Sequence, residues 1–313
     1  MAIYHMHVKY TSAGAGQSAV AAAAYRHAAE MQRTATDKKY DYSNKSDVQH
    51  CEVILPHGAP EWAQIQFGTG SPHERSERLW NAIEAEVTRK NGYYSQEFEV
   101  ALPVEFDNAQ NIDLVRDFAT IFTGDGRVVD YAIHSGDGNP HAHILVSARA
   151  LTDTGWSKAQ KPILDANGNR QYRGSGKNRR VLYQRVVGGR PELIKWREDW
   201  ARISNEHLSR AGIEQRIDHR SFKDRGIELK PTIKRGPAAD RMARNGGESR
   251  RLENVAARQQ ANIRRLIADP GLILPLLRET SPTVTEENLD QVLKTYISAV
   301  SYTHLTLPTI YSV

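Results

Sequence analysis

Apolar residues recur along the N-terminal two thirds of the chain with two different periods. Short apolar or alternating runs predict strands, whereas apolar positions three and four residues apart predict helices. The predicted strands lie near residues 2–10, 49–55, 94–102, 128–134 and 141–149. The predicted helices lie near residues 18–33, 74–90, 108–122 and 191–211. This mixture predicts an α+β fold, in which helices pack on an antiparallel sheet.

The pattern changes in the second half of the chain. Residues 152–190 are rich in Gly, Asn and Arg and lack a clear period, which predicts a long mobile connection. Residues 248–268 and 286–300 predict further helices, whereas the last residues fit no earlier pattern and resemble read-through of a vector. We therefore expect a truncated native chain and three parts, namely a first domain, a helical extension and a foreign tail, over residues 1–235, 236–300 and 301–313.

Three histidines, His134, His141 and His143, lie within ten positions. Residues 128–133 predict a buried strand, and residues 135–140 carry the Gly, Asp, Asn and Pro of a tight turn. Side chains alternate along a strand, so His141 and His143 share a face, and the hairpin brings His134 beside them. A lone histidine is usually structural, but three converging imidazoles suit a divalent metal and leave open positions for a substrate.

Tyr25 is the one large polar aromatic residue of an alanine-rich segment. Ser18 is a good helix N-cap, and residues 19–30 that follow it predict a helix with very little side-chain bulk. Such a helix can lie close against a sheet, with Tyr25 projecting from it. From composition alone, a tyrosine that fills a gap in this interface is the simpler interpretation.

Charge is distributed unevenly along the chain, whose net charge is +5. Residues 1–157 carry 13 Lys and Arg against 20 Asp and Glu, whereas residues 158–235 carry 20 against 9. The second segment, with a net charge of +11, suits a phosphate backbone. Its candidate phosphate contacts are Arg173, Lys177, Arg179, Arg180 and Arg185. Aromatic residues in or beside it that are candidates for base stacking are Trp156, Tyr172, Tyr183 and Trp196.

The chain contains a single cysteine, Cys51. One cysteine cannot form an intrachain disulfide, which is typical of a protein from a reducing cytoplasm. Cys51 lies in a strand-like segment and is interpreted as a small core residue. No apolar run is long enough to predict a signal peptide or a membrane span.

Several segments, taken together, resemble the MobA/MobL family of plasmid mobilisation relaxases, the MOBQ type of HUH endonuclease. In chain order they are MAIYH at residues 1–5, QSAVAAAAYR at 17–26, LWN at 79–81, EFEVALP at 97–103, AIHSGDGNPHAH at 132–143 and IDHRS at 217–221. The resemblance covers roughly residues 1–235. It implies that Tyr25 is the nucleophile, that the three histidines bind the metal, and that Glu97 and Glu99 lie near the site on one face of a strand.

The resemblance also implies an activity and partners. A relaxase of this family nicks one strand of plasmid DNA at an origin of transfer and stays joined to the new 5′ end through its tyrosine. The expected cofactor is a divalent cation, either Mg²⁺ or Mn²⁺, which phosphoryl transfer often uses, or Zn²⁺. The implied partners are origin DNA that is single-stranded at the nick, accessory relaxosome proteins and a type IV coupling and secretion system. The protein is expected to act in the bacterial cytoplasm, without stable membrane insertion, and to travel with the DNA.

Two alternatives remain open at this point. A rolling-circle replication initiator uses the same tyrosine and histidine chemistry, but such initiators usually place the tyrosine after the histidines. A DNA-binding module that kept the metal and lost nicking is the second alternative. Covalent attachment to DNA, and the origin at which it occurs, separates all three.

Overall fold

The computed structural model describes residues 4–158, 160–185, 188–233, 236–280 and 284–297. They fall into two compact units, one that ends at His207 and one that begins at Leu208. The predicted foreign tail over residues 301–313 lies outside the described residues, and the boundaries predicted at residues 235 and 300 stay predictions. Within the described ranges, no helix is both long enough and apolar enough to cross a membrane.

The first unit is built on an antiparallel sheet. The strands of the chain are β1 (Met6–Ser12), β2 (Glu30–Arg33), β3 (Lys38–Asp41), β4 (Val48–Ile54), β5 (Tyr93–Ala101), β6 (Arg127–His134), β7 (His141–Thr152), β8 (Gly155–Trp156), β9 (Gln160–Pro162), β10 (Tyr172–Arg173), β11 (Arg180–Val181) and β12 (Tyr183–Arg185). The main sheet has the order β1-β5-β7-β6-β4, and β8 pairs with β7. Every one of these pairings is antiparallel, which confirms the predicted α+β class.

Helices occur in both units. They are α1 (Ala19–His27), α2 (Glu61–Phe67), α3 (Pro72–Glu86), α4 (Asn108–Gly124), α5 (Arg190–Arg210), α6 (Pro237–Arg244), α7 (Arg250–Ala268), α8 (Leu274–Thr280) and α9 (Glu286–Tyr296). The apolar pattern does not predict the short helices α2, α6 and α8, because two turns contain too few apolar positions to define a period.

One face of the sheet packs on aromatic residues of α4 and α5. The ring of Phe98 on β5 lies 4.9 Å from that of Phe122 and 5.2 Å from that of Trp196. Trp196 is only 4% exposed, so its predicted role in base stacking is wrong. The ring of Trp156 also packs within the protein, because it is partly buried and contacts the ring of Trp62.

The opposite face of the sheet packs on α1 and α3. Ala19, Ala23 and Ala24 are fully buried there, so the alanine-rich helix lies close to its neighbours, as its composition predicts. Ser18 caps the helix by accepting a hydrogen bond from the backbone N–H of Ala21.

Helix α1 is shorter than the sequence predicts. The helix expected over residues 18–33 ends at His27, because Ala28 adopts a left-handed conformation with φ of 51°. The chain then enters β2, which pairs with β3 as a hairpin and buries Met31. Residues 30–33 have ordinary helix propensity, and tertiary contacts override it.

Residues 152–190 are more regular than predicted. The segment contains β8 to β12, with β10 pairing β11 and β12 pairing β9 in two short ladders. Strands of two or three residues are too short to produce an alternating pattern in the sequence.

The second unit contains α6 to α9 and has its own apolar core. Ile263 and Leu266 of α7 are buried with Val292 and Leu293 of α9. The helices predicted over residues 248–268 and 286–300 correspond to α7 and α9, as far as the described residues extend.

Candidate active site

Three histidines converge at the turn that joins β6 to β7. His134 pairs with His141 across the hairpin, and His143 lies two residues further along the same face. The ring centroids are 5.3 Å apart for His134 and His141, 5.0 Å for His134 and His143, and 5.1 Å for His141 and His143. One ligand atom of each ring lies within 4.8 Å of those of the other two. The structure therefore brings together the three side chains that the hairpin pattern singled out.

Each histidine has an oxygen partner that orients its ring. Nδ1 of His141 lies 2.8 Å from the carbonyl oxygen of Asn139, and Nδ1 of His143 lies 3.0 Å from Oε1 of Glu97. When each Nδ1–H donates to these oxygens, Nε2 keeps its lone pair for a metal, as is usual for histidine ligands. His134 lies between two acceptors, the carbonyl oxygen of Arg26 and the carboxylate of Asp47. A neutral ring donates to one of them and keeps a lone pair on its other nitrogen.

Burial keeps two of these rings neutral. It lowers the pKa of His134 to about 4, and it also lowers the pKa of His143. Neutral imidazole is the form that binds a metal, because the lone pair must be free. Three imidazoles this close together, two of them with a lowered pKa, therefore fit a divalent cation held by His134, His141 and His143.

Glu97 is a buried carboxylate beneath the histidines. Its oxygens accept two hydrogen bonds from the guanidinium of Arg26, at 2.8 and 2.6 Å, in addition to the contact with His143. Burial alone raises the pKa of this carboxyl, but His143 and Arg26 together hold it at about 2. Glu97 is thus an anion whose oxygens already accept hydrogen bonds from Arg26 and His143.

Glu99 occupies a more open position than Glu97. It pairs across the sheet with His143 and His7, and its carboxylate lies 3.5 Å from the Nζ atom of Lys9. Its side chain is 26% exposed, against 2% for Glu97. The two glutamates share a face, as their spacing predicts, but their surroundings differ.

Tyr25 lies near the end of α1 and is 45% exposed. Its ring packs edge-on against Tyr42, with centroids 5.2 Å apart. The Nζ atom of Lys45 lies 4.0 Å from the Tyr25 ring centroid and donates to the Tyr25 carbonyl oxygen at 3.3 Å. The phenol is therefore accessible, and a positive charge lies over its ring.

A chain of contacts leads from Tyr25 to the histidines. Lys45, which covers the Tyr25 ring, has its Nζ atom 3.7 Å from Oδ1 of Asp47. The other oxygen of Asp47 lies 3.2 Å from Nδ1 of His134. Sequence reasoning missed Lys45 and Asp47, because they lie between β3 and β4 in a segment without a motif. The pairing of Val48 with His134 brings Asp47 beside that histidine, and no pattern in the sequence reveals this pairing.

Four of the five candidate phosphate contacts lie on the β10–β11 hairpin, and the fifth, Arg185, lies on β12. Arg173, Lys177, Arg179 and Arg180 are all exposed, and the guanidinium carbon of Arg179 lies 3.8 Å from the ring centroid of Tyr172. The side chain of Arg185 lies outside the described residues. The structure thus leaves the four described cations accessible, and their contact with DNA stays a prediction.

Comparisons with known proteins identify the family of this chain. The sequence profile of the MobA/MobL family matches residues 17–245. The chain is 33% identical over 304 residues to the conjugal transfer protein TraA of Agrobacterium fabrum, a match that covers 95% of this chain and 27% of that protein. It is 32% identical over 286 residues to the mobilization protein MobL of Acidithiobacillus ferridurans, covering 83% of this chain and 68% of that protein.

A solved structure has a similar fold. It is described as "Molecular Basis of Vancomycin Resistance Transfer in Staphylococcus aureus", and it superposes with a TM-score of 0.54 at 30% sequence identity. The superposition covers 71% of this chain and 100% of the other. Because the family profile matches most of the chain and its relatives exceed 30% identity, the chain belongs to the MobA/MobL family of plasmid mobilisation relaxases.

Proposed function

We propose that this chain nicks and rejoins one strand of plasmid DNA at an origin of transfer, and so starts conjugative mobilisation. The observation that carries this proposal is the position of Tyr25. The exposed phenol precedes Arg26, whose carbonyl oxygen lies 2.7 Å from Nε2 of His134 in the three-histidine cluster. A nucleophile and a candidate metal centre are thus joined through one residue.

The proposed step is a transesterification. The Tyr25 phenol oxygen forms a bond to phosphorus while the bond from phosphorus to the 3′ oxygen breaks. The phenol proton passes to solvent, and the displaced 3′ oxygen takes up a proton. The phosphotyrosine keeps the energy of the phosphodiester, so the reverse reaction reseals the strand without a nucleotide cofactor.

The side chains around Tyr25 have separate roles in this proposal. The ammonium of Lys45 over the Tyr25 ring favours the negative charge that develops on the phenol oxygen. Glu97 acts as a positioning residue for His143 and Arg26, because a carboxylate with a pKa of about 2 is a poor proton acceptor. Glu99 stays the candidate for a carboxylate that acts on the reacting groups.

The three histidines define what the cofactor would contribute. A divalent cation held by His134, His141 and His143, either Mg²⁺, Mn²⁺ or Zn²⁺, would polarise the scissile phosphate and stabilise charge on the displaced 3′ oxygen. The substrate would be origin DNA that is single-stranded at the nick, and the basic β10–β11 hairpin would contact its phosphates. The other proposed partners are accessory relaxosome proteins and a type IV coupling and secretion system. The proposed location is the bacterial cytoplasm.

Sequencing of covalently attached DNA tests the proposal. The chain is incubated with the plasmid of its host and a divalent cation, and the products are separated on a denaturing gel. We expect a protein–DNA adduct joined to a 5′ end at an origin of transfer. An adduct at a replication origin would indicate an initiator instead, and the absence of any adduct would indicate a binding module.

Two phenol-to-phenyl variants make the test specific. Tyr25→Phe should bind origin DNA and give no adduct. Tyr40→Phe removes the same hydroxyl from the neighbouring β3 strand and should give the adduct in full yield. An undiminished adduct from Tyr25→Phe would exclude Tyr25 as the nucleophile.

A further inference from the structure

A second group of His and Cys side chains lies close enough together to hold a metal ion. It consists of His27 in the last turn of α1, Cys51 on β4 and His73 in the first turn of α3. One ligand atom of each residue lies within 4.8 Å of those of the other two. The cluster shares no side chain with the first site, and the mechanism above does not use it.

A buried carboxylate orients the central histidine of this cluster. Oδ1 of Asp130 lies 2.6 Å from Nε2 of His27, and both side chains are inaccessible to solvent. The other oxygen of Asp130 accepts hydrogen bonds from Ser76 and Trp80, each at 2.6 Å. Asp130 is therefore fixed, and its contact assigns a proton to Nε2 of His27. Nδ1 is the atom that faces the cluster, and this carboxylate–histidine arrangement is the usual support of a metal ligand.

The separation of the ligand atoms matches a coordination sphere. Nδ1 of His27 lies 3.2 Å from Nδ1 of His73. Two nitrogen ligands of a tetrahedral zinc ion, each about 2.0–2.1 Å from the metal, lie about 3.3 Å apart. Cys51 is half-buried and adds a sulfur ligand, while the exposed His73 leaves one side of the cluster open to solvent.

We propose that His27, Cys51 and His73 form a second metal site, for a cation of the zinc type. A thiolate with two imidazoles favours Zn²⁺ over Mg²⁺ or Mn²⁺, which prefer oxygen ligands. Binding displaces the thiol proton of Cys51 and the proton on Nδ1 of His27, and a water molecule takes the fourth position. The ion joins α1, β4 and α3, so it fixes the end of the helix that carries Tyr25.

The competing interpretation is a hydrogen bond without a metal. Burial of the His27 ring lowers its pKa, but Asp130 and Cys51 together raise it to about 10. A protonated His27 would donate from Nδ1 to His73, and this bond alone would hold α1 against α3. The two interpretations predict different rates for the reaction of Cys51 with a thiol reagent when zinc is added.

Alkylation of Cys51 is the first test, because the chain contains one cysteine and the whole protein can be used. We expect Zn²⁺ to slow the reaction of Cys51 with iodoacetamide by about tenfold or more, and Mg²⁺ to have no effect. His73→Ala should abolish the protection. His57→Ala, which removes an exposed histidine outside the cluster, should keep it. Equal alkylation rates with and without Zn²⁺ would overturn the proposal in favour of the hydrogen-bonded pair.

Cobalt spectroscopy is the second test and separates the two sites. Co²⁺ bound to a thiolate gives a charge-transfer absorption that a three-histidine site cannot give. We expect this absorption in the wild-type chain and in a variant with His134, His141 and His143 all changed to Ala. It should disappear in Cys51→Ser. Absence of the absorption from the wild-type chain would contradict the second site. Because neither test uses DNA, the outcome is independent of the proposed nicking activity.

Discussion

The backbone carbonyl oxygen of Arg26 lies 2.7 Å from Nε2 of His134. The other end of the same residue, its guanidinium, binds Glu97, and Glu97 in turn contacts His143. Arg26 therefore touches one candidate metal ligand directly and a second through one carboxylate. Because Tyr25 is the preceding residue, the residue that follows the phenol in the chain also contributes to the orientation of His134 and His143.

The first prediction concerns this arginine. In Arg26→Lys, an ammonium cannot reproduce the two parallel hydrogen bonds to Glu97, so His143 loses its fixed support. We expect metal affinity to fall by about 10- to 100-fold, as for other partners of metal ligands, and the yield of DNA adduct to fall with it. Arg116→Lys alters a similar pair with Glu52 on the surface and should leave both quantities unchanged. Unaltered metal affinity in Arg26→Lys would show that the guanidinium does not support the site.

The second prediction concerns the three histidines as a unit. Removing His134, His141 or His143 singly should cost nearly as much nicking activity as removing all three, because the ligands act together. Mn²⁺ bound per chain, measured by electron paramagnetic resonance, should fall in each single alanine variant. His57→Ala serves as the control and should bind Mn²⁺ normally. Full Mn²⁺ binding by the triple alanine variant would exclude these residues as the ligands.

The histidine hairpin is the part of the site that the sequence predicts best, and the reason is local. The turn between β6 and β7 and the alternation along β7 fix the relation of His134, His141 and His143 within ten residues. The contacts with Arg26 and Asp47 come from elements far away in the chain, and no local pattern encodes them. The same holds for His27, Cys51 and His73, which lie on three separate elements.

The boundary of α1 shows a second limit of sequence reasoning. Ala28, Ala29 and Met31 all favour a helix, and nothing local marks the end at His27. The helix ends there because Ala28 turns left-handed and β2 pairs with β3, contacts that only the folded chain supplies. The charge count defines a basic segment in the sequence, but it does not indicate that Trp196 within that segment is buried.

The third prediction concerns the basic β10–β11 hairpin. Changing Lys177, Arg179 and Arg180 together to Glu should weaken DNA binding and reduce its salt dependence. If all three contact phosphates, the log–log slope should shrink by about 2 to 3 units, at roughly 0.7 to 0.9 per contact. The slope is measured with an origin oligonucleotide across a salt series.

A matched charge reversal controls for the change in net charge. Arg241, Arg244 and Arg250 are exposed on α6 and α7, outside the basic segment. Their combined change to Glu should leave the slope as it is in the wild-type chain. An unchanged slope in the variant of Lys177, Arg179 and Arg180 would indicate that the DNA does not contact the β10–β11 hairpin.

The fourth prediction concerns stability at low pH. The pKa of Glu97 is about 2 in the folded chain, below its ordinary value of 4.5. A carboxyl group whose pKa is lowered by folding stabilises the folded chain at pH values above its pKa in the unfolded chain. This contribution is lost as the pH falls from about 4.5 to about 2. It amounts to about 3 kcal/mol at neutral pH, from the shift at 1.36 kcal/mol per unit.

Chemical unfolding at a series of pH values, with a chelator present, measures this contribution. Between about pH 5 and about pH 2, the free energy of unfolding of the wild-type chain should fall more steeply than that of Glu97→Gln. Glu30→Gln removes an exposed carboxylate that pairs with Lys39, and a surface pair contributes little, so this variant should follow the wild type. Parallel curves for the wild type and Glu97→Gln would contradict the stabilising role of this carboxylate.

Helix α1 has only nine residues, and both of its ends are held by side chains from later in the chain. Glu84 accepts hydrogen bonds from the N–H groups of Ala19 and Val20, while Asp130 and His134 hold the last turn. A free helix of this length is marginal in water, since isolated helices need about 12–15 residues. The ribosome must therefore release the chain through β6 before both ends of α1 are held. Under the proposed activity, an unfinished chain would therefore carry Tyr25 on an unsupported helix, without the histidines of β6 and β7.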